Sequence, residues 1–163
     1  MNEWKVFVIA GRATFTLENA RTGERFTYKV SKARNVERWS VKVLTGPDNN
    51  QDYKYIGSIY EKKFRPRIQS MSALWFERLI KVLYSDESLA QNMKMYHMGK
   101  CGRCGRNLTV PASIEAGYGP ECILHVYTEA TNSHISLEDA KIIRKVMQME
   151  AKIKAAQESG LNC

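Results

Sequence analysis

Four short stretches in the first sixty residues alternate apolar and polar side chains, which is the pattern of antiparallel strands with one buried face. The stretches are ATFTLE at 13–18, RFTYKV at 25–30, RWSVKV at 38–43 and DYKYIGSI at 52–59. Turn-forming segments, NARTG at 19–23 and TGPDNN at 45–50, separate the first pair and the last pair. With WKVFVIA at 4–10 as a candidate first strand, we predict a four- or five-stranded antiparallel meander.

The alternation assigns the side chains of these strands to two faces. The apolar face is predicted to hold Phe15, Leu17, Phe26, Tyr28, Val30, Trp39, Val41, Val43, Tyr53 and Tyr55. The polar face is predicted to hold Thr14, Thr16, Thr27, Lys29, Ser40, Lys42 and Lys54. Exposed aromatic residues on a basic sheet would be platforms for stacking bases, but their strict alternation with Thr and Lys favours a place in the core. A sheet this small must curl into a barrel or be covered by a helix.

One segment after the strands has the spacing of a helix that could cover the sheet. In SALWFERLIKVLY at 72–84, one apolar stripe is formed by Phe76, Leu79, Ile80 and Leu83. The shorter NMKMYHM at 92–98 is predicted to be either a helix end or a strand that leads into the cysteines.

A second helix is predicted near the C-terminus, in SLEDAKIIRKVMQMEAKIKAAQES at 136–159. Ser136 is its candidate N-cap, and Asp139 stands three residues later. The apolar positions of the helix are Ile142, Val146, Met149 and Ile153. Their 4-3-4 spacing is typical of a short coiled coil, which would make a homodimer, or of a helix that docks on its own domain.

These elements together predict an α+β fold: a small, curled, barrel-like antiparallel sheet with a covering helix, a module that contains three of the cysteines, and a C-terminal helix. The predicted regions are a basic β region at 1–67, a covering helical segment at 68–96, a cysteine module at 97–130 and the C-terminal helix at 135–159.

The positive charge of the chain is concentrated in the β region. Residues 1–67 contain fourteen Lys and Arg against seven Asp and Glu, and so carry +7 of the net charge of +8. A one-sided basic surface is typical of a nucleic-acid partner, although many basic proteins are only well solvated. The candidate contacts are Lys29, Lys42 and Lys54 of the polar face with Lys62, Lys63, Arg65 and Arg67 of the run KKFRPR. Phe64 within that run could stack on a base or anchor a loop.

The hydropathy pattern indicates a protein of the cytosol with no membrane partner. The longest apolar run, VFVIA at 6–10, is far too short to cross a bilayer, and the N-terminal residues lack the pattern of a signal peptide. In a reducing compartment, the four cysteines are expected to be metal ligands or free thiols rather than disulfides.

The stretch CGRCGR at 101–106, followed by GPEC ending at Cys122, predicts a zinc site. A C-x-x-C turn with glycines directs two thiolates to one point, and Gly119-Pro120 predicts a helix start that would present Cys122 near a positive dipole end. The alternatives are plain buried thiols and a redox pair, and the latter requires a thioredoxin-like βαβ pattern that the sequence lacks.

Two histidines are candidates for the fourth ligand. His97 precedes Cys101 by four residues, and His125 follows Cys122 by three. Spacing alone slightly favours His125, because it would stand with Cys122 on the first turn of one helix. The remaining cysteine, Cys163, is too close to the C-terminus to count as a ligand.

CGRCGRNLTVPASIEAGYGPEC resembles a short cysteine module, classed as a domain of unknown function, of uncharacterised bacteriophage and some bacterial proteins. TGERFTYKV and VLTGPDNNQDYKYIGSI also resemble the region that accompanies it, so the resemblance extends over about residues 12–123. In those proteins a histidine stands a few residues before the first cysteine, as in YHMGKCGRC here. The resemblance therefore implies His97 as the fourth ligand, and it implies a phage protein that acts in the cytoplasm of an infected bacterium.

The zinc set His97, Cys101, Cys104 and Cys122 would be closed. The cysteine module at 97–130 is therefore predicted to be a zinc-binding module, a zinc knuckle with one structural Zn²⁺ and no open position for a substrate. No phosphate loop, nucleophile elbow or H-x-E deaminase pattern is present in the sequence. We therefore expect a non-enzymatic protein that binds DNA or RNA through its basic β surface. The alternative is a small phage effector that binds and inhibits a host protein, such as a defence component.

Overall fold

The computed structural model describes residues 3–85, 89–109 and 111–131. Its elements in chain order are α1 Glu3–Ile9, β1 Arg12–Asn19, β2 Arg25–Lys32, β3 Arg38–Leu44, β4 Tyr53–Tyr60, β5 Lys63–Pro66, α2 Met71–Tyr84, β6 Met93–His97, α3 Pro111–Ala116 and α4 Pro120–Thr131. The strands form one antiparallel sheet in the order β5-β4-β3-β2-β1-β6. The α+β fold is confirmed, and the sheet is open, with β5 and β6 at its edges. The predicted helix at 135–159 lies outside the described residues.

Helix α2 covers one face of the sheet, here called the inner face. Phe76 of α2 packs its ring against Phe15, Tyr28 and Phe64, with ring centroids 6.4, 5.1 and 4.9 Å away. The hydroxyl of Tyr28 also donates a hydrogen bond to the Ser72 carbonyl of the same helix, at 2.8 Å. The predicted stripe of α2 is buried throughout: Phe76, Leu79, Ile80 and Leu83. A helix, rather than barrel closure, thus hides the apolar side of the sheet.

Residues 4–10 are not a strand, contrary to the prediction, because Glu3–Ile9 is the helix α1. The run VFVIA has no alternation, and a short apolar run alone does not distinguish a strand from a buried helix. As a helix it buries both Phe7 and Val8 and brings the Trp4 ring to 5.6 Å from that of Phe7. The carbonyl of Ile9 accepts from the Trp39 indole at 2.8 Å, which ties the helix to the inner face.

Two strands of the described sheet, β5 and β6, come from segments that the sequence left ambiguous or unassigned. Met93–His97 resolves as β6, an edge strand that pairs with β1. The run KKFRPR contains β5, which pairs with β4 and ends at Pro66, a residue that only an edge strand tolerates well. The ring of Phe64 is buried on the inner face, so this residue is a core anchor rather than a stacking group.

A bulge in β4 changes the face on which three predicted residues lie. Val41 pairs with Gly57 but Lys42 pairs with Tyr55, so Ile56 is an extra residue in β4. Ile56 is fully buried, whereas the Tyr55 side chain is exposed. The prediction that Tyr53 and Tyr55 belong to the apolar face is therefore wrong, and so is the assignment of Lys54, which lies opposite inner-face Val43.

The strand register defines the second face, here called the outer face. Its members are Arg12, Thr14, Thr16, Glu18, Arg25, Thr27, Lys29, Ser31, Arg38, Ser40, Lys42, Leu44, Tyr53, Tyr55, Ser58, Tyr60, Lys63, Arg65, Lys94 and Tyr96. Because helix α2 lies against the other side, the long side chains here are exposed at Lys42, Tyr55, Tyr60, Lys63, Arg65 and Tyr96.

Candidate metal centre and basic outer face

The first two cysteines lie on a tight turn directly after β6. The amide of Cys101 donates to the Arg106 carbonyl, and the amide of Gly105 donates back to the Cys101 carbonyl, both at 2.8 Å. Gly105 has a φ of 77°, a conformation that an L-residue with a Cβ rarely adopts. An isolated bridge between Lys100 and Asn107 closes the base of the turn. The chain therefore reverses within six residues and leaves Cys101 and Cys104 on the same side.

The third cysteine reaches the turn from helix α4. Pro120 begins the helix, as predicted, and places Cys122 in its first turn. The three sulfur atoms, of Cys101, Cys104 and Cys122, all lie within 4.8 Å of one another. Tetrahedral zinc at about 2.3 Å from each sulfur would need S–S separations of about 3.8 Å. The cluster therefore fits a metal ion of this kind with small side-chain adjustment.

The thiols of the cluster have unequal acidities. Burial acts to raise the pKa of Cys101, but hydrogen bonds from the backbone amides of Cys104, Gly119 and Arg103 outweigh it and lower the pKa overall. Burial, followed by the hydrogen bonds and charges of the neighbouring Cys104 and Cys101, raises the pKa of Cys122 to about 12. The backbone thus stabilises one thiolate, whereas additional negative charge needs a cation to compensate it.

Helix α1 and two glycines support the cysteine turn from the inner side. A Cβ at Gly102 would lie 2.8 Å from the Phe7 ring, and a Cβ at Gly117 would lie 2.9 Å from it. The amide of Gly102 donates to the Gly117 carbonyl at 2.9 Å, which joins the turn to the end of α3. Tyr118 packs on Phe7, and its buried hydroxyl has no hydrogen-bond partner among the described residues. The site therefore depends on close backbone packing around one phenylalanine.

Neither candidate histidine belongs to the three-thiol cluster, within the part of the chain that the structure describes. His97 stands opposite Phe15 in the β6–β1 register, and its ring centroid is 5.8 Å from that of Phe7. Its Nδ1 accepts a hydrogen bond from the Gly99 amide at 3.2 Å, which leaves Nε2 for any metal. His125 is exposed on α4. The structure thus brings three of the four predicted ligands together, and His97 as the fourth stays a prediction.

Two lysines lie side by side on the outer face. Lys29 of β2 and Lys42 of β3 are direct cross-strand partners, and no carboxylate of the described residues forms an ion pair with either. The pKa of Lys29 is lowered by burial and by the charges of Lys100 and Lys42, against a smaller opposing effect of Asp48. Like charges directly opposite each other destabilise a sheet, so the pair is held in place by the surrounding fold.

A loop residue holds Lys29 and Lys100 together. The carbonyl of Asn50 accepts from Lys29 Nζ at 3.3 Å, and its side-chain oxygen accepts from Lys100 Nζ at 3.5 Å. Lys29 Nζ also lies 4.0 Å from the centroid of the Tyr53 ring, a cation–π distance. Lys100 precedes the first metal-site cysteine, so the cysteine turn contributes a third cation to the outer face.

The remaining predicted nucleic-acid contacts are spread over different positions. Lys63 and Arg65 are exposed on the outer face of β5. Lys62 lies in the β4–β5 turn at a φ of 60°, and Arg67 follows β5 with its amide bonded to the Ile56 carbonyl. Lys54 lies on the opposite side by register. The structure therefore groups four of the seven predicted cations on one face: Lys29, Lys42, Lys63 and Arg65.

The sequence patterns did not predict that three tyrosine side chains are exposed on the outer face: Tyr55, Tyr60 and Tyr96. A signal was present for the first of them, because Gly57 interrupts the alternation of DYKYIGSI, and an isolated glycine in a strand pattern indicates a bulge. For Tyr96 there was none, since its strand could not be distinguished from a helix end.

Fold and site together define an open-sheet α+β protein with a three-cysteine candidate metal centre. Residues 95–126 match a protein family described as a family of unknown function (DUF6011). The match extends from β6 through the cysteine turn into α4, which confirms the resemblance to an uncharacterised family for this region. No curated protein and no solved structure matches the chain. None of the described helices has the length and apolar character needed to cross a membrane.

Proposed function

We propose that this protein binds nucleic acid through the outer face of its sheet, without catalysing a reaction, and that a structural zinc ion orders the cysteine region. The observation that carries the proposal is the cross-strand pair of Lys29 and Lys42, with Lys100 held beside it by Asn50. Three cations without carboxylate ion pairs among the described residues favour a polyanionic partner.

Phosphate groups would relieve the repulsion that this arrangement imposes on the folded chain. An anion between Lys29 and Lys42 replaces a like-charge contact by two attractive ones, and it releases condensed counterions from the nucleic acid. Lys63 and Arg65 extend the same charge towards the β5 edge. Contacts of this kind position a nucleic acid without reading its sequence.

Zinc is the proposed metal because three thiolates and an imidazole suit it better than any harder cation. The ligands of this chain would be Cys101, Cys104 and Cys122, with His97 as the proposed fourth. When bound, the metal would supply structural cross-linking between the turn and α4, and a closed ligand set leaves no position for a substrate.

The biological setting follows from the sequence resemblance to bacteriophage proteins. We place the protein in the cytoplasm of an infected bacterium, where both nucleic acid and host proteins are accessible. A homodimer through the helix predicted at 135–159 remains part of the proposal, although that segment lies outside the described residues.

Salt dependence of binding tests the nucleic-acid proposal. Log affinity should fall linearly with log salt, by about 0.9 per duplex phosphate or about 0.7 per single-strand phosphate contacted. Changing Lys42, Lys63 and Arg65 together to Gln should flatten the slope by roughly two to three units. The control is the double change Arg78→Gln with Lys81→Gln. These are two exposed cations of α2, the helix that covers the inner face. The control should leave the slope unchanged.

The contrary result is the absence of binding to single or double strands at low salt. It would overturn the nucleic-acid proposal and leave the inhibitor of a host protein as the better account. A pull-down from bacterial lysate with and without nuclease separates the two, because a direct protein partner survives nuclease treatment.

A further inference from the structure

We infer that the outer face takes single-stranded nucleic acid, with Tyr55 and Tyr96 as stacking platforms for unpaired bases on either side of the lysine pair. The inference rests on the proposed nucleic-acid function and adds that the outer face binds single strands of nucleic acid rather than duplexes. Its basis is the exposure of both tyrosines, 43% and 46% of their surfaces, on a sheet face whose other large side chains are mainly cationic.

The strand register places the two tyrosines on the same face. Tyr96 of β6 pairs with Thr16, and the Thr16 hydroxyl is 2.8 Å from that of its β2 partner, Thr27. Tyr55 of β4 pairs with Lys42, which in turn pairs with Lys29. Four strand spacings of about 4.8 Å separate β4 from β6, so the tyrosines are about 19 Å apart in the direction perpendicular to the strands.

The cations lie between the aromatic residues in this arrangement. Lys29 is on β2 and Lys42 is on β3, two strands that stand between the strand of Tyr55 and that of Tyr96 in the sheet. Contacts with Asn50 and the Tyr53 ring also hold the Lys29 side chain in place. A single strand of nucleic acid that lies across the sheet can therefore place its phosphates on the lysines while its bases stack on the tyrosines. Alternating aromatic and basic groups of this kind are the general means by which sheets bind single strands.

Duplex nucleic acid fits the same surface less well. Its bases are stacked on one another and cannot reach a tyrosine ring, so only the phosphates would contribute. Helices α1 and α2 pack on the inner side, so neither of them projects from the outer face to enter a major groove. Single strands should therefore bind more tightly than duplexes at equal salt.

The test measures fluorescence anisotropy of labelled oligo-dT, oligo-U and a DNA duplex of about 15 nucleotides or base pairs, a length near the upper site size of such surfaces. Wild-type protein should prefer either single strand over the duplex by roughly tenfold or more. Tyr55→Ala and Tyr96→Ala should each weaken single-strand binding roughly 5- to 100-fold and leave duplex binding unchanged. Tyr55→Phe and Tyr96→Phe are the matched controls, which keep the ring and should retain affinity. Circular dichroism checks the fold of each variant.

The outcomes separate this inference from the proposal on which it rests. Equal affinity for duplex and single strands, or alanine variants that bind like wild type, would overturn single-strand recognition while salt-dependent binding upheld the nucleic-acid function. Failure to bind any of the three probes at low salt would overturn both. Tighter binding of both single strands than of the duplex would support the inference, and the tighter of oligo-dT and oligo-U would then indicate whether DNA or RNA supplies the strand.

Discussion

Tyr55 on β4 lies directly opposite Lys42 on β3, and both side chains are exposed on the outer face. The pairing exists because Ile56 is an extra residue that the bulge directs into the core. Without the bulge, Tyr55 would alternate into the inner face, because a one-residue shift moves every side chain of a strand to the opposite side. One inserted residue therefore gives the basic face an aromatic group.

We expect the purified protein to contain one zinc ion per chain. Cys101→Ser and Cys122→Ser should each remove it and unfold the 97–125 region, because assembly of such a site is coupled to folding. Inductively coupled plasma mass spectrometry measures the metal, and Cys163→Ser is the matched control that should retain it. Less than half an equivalent of zinc in gently purified wild-type protein would contradict the prediction.

His97→Ala should weaken zinc binding, and His125→Ala should not. The Nδ1 of His97 accepts from the Gly99 amide, which leaves Nε2 as the ring nitrogen for a metal, and His97 stands at the end of β6, next to the cysteine turn. His125, by contrast, is exposed on α4. The rate of zinc transfer to a chromophoric chelator measures how much the loss of one ligand weakens zinc binding. The reverse result, with only His125→Ala releasing metal faster, would assign the fourth position to His125.

Phe64→Ala should destabilise the fold by about 3–5 kcal/mol, the usual cost of removing a buried phenylalanine. Its ring lies 4.9 Å from that of Phe76, and its side chain is 6% exposed. Urea denaturation measures the change in the free energy of unfolding. Tyr60→Ala in the same hairpin is the control and should cost about 0.5 kcal/mol or less, because Tyr60 is exposed. A small effect at Phe64 would mean that the ring is not part of the core.

Gly102→Ala should lower both stability and zinc affinity. Its new Cβ would lie 2.8 Å from the Phe7 ring and 3.2 Å from that of Tyr118, so the turn or α1 must move. Overpacking of this kind costs about 1–3 kcal/mol. Gly119→Ala, where nothing lies within 4 Å of the added Cβ, is the control for the same loop region. Thermal unfolding with and without added zinc measures both effects, and equal behaviour of the two variants would refute the packing argument.

The fold class and most strand positions were predictable because they depend on local patterns. The alternation in RFTYKV and RWSVKV assigns Tyr28, Val30 and Val41 to one face whatever the strands pair with. The stripe of α2 and the helix start at Pro120 were equally local signals, since each depends on spacing within a few residues. The three-cysteine cluster followed from ligand spacing and turn chemistry in the same way.

Sequence by itself therefore determined the α+β class, most of the inner-face core, the covering helix and the thiols that meet. Only the tertiary structure decided that residues 3–9 form a helix, that Phe64 is buried and that Tyr55 faces outwards. The physical reason is that each of these depends on a partner distant in sequence: Trp39 for α1, Phe76 for Phe64 and the β3 register for Tyr55. A short apolar run or a single glycine is compatible with two local structures, and burial against such partners selects between them.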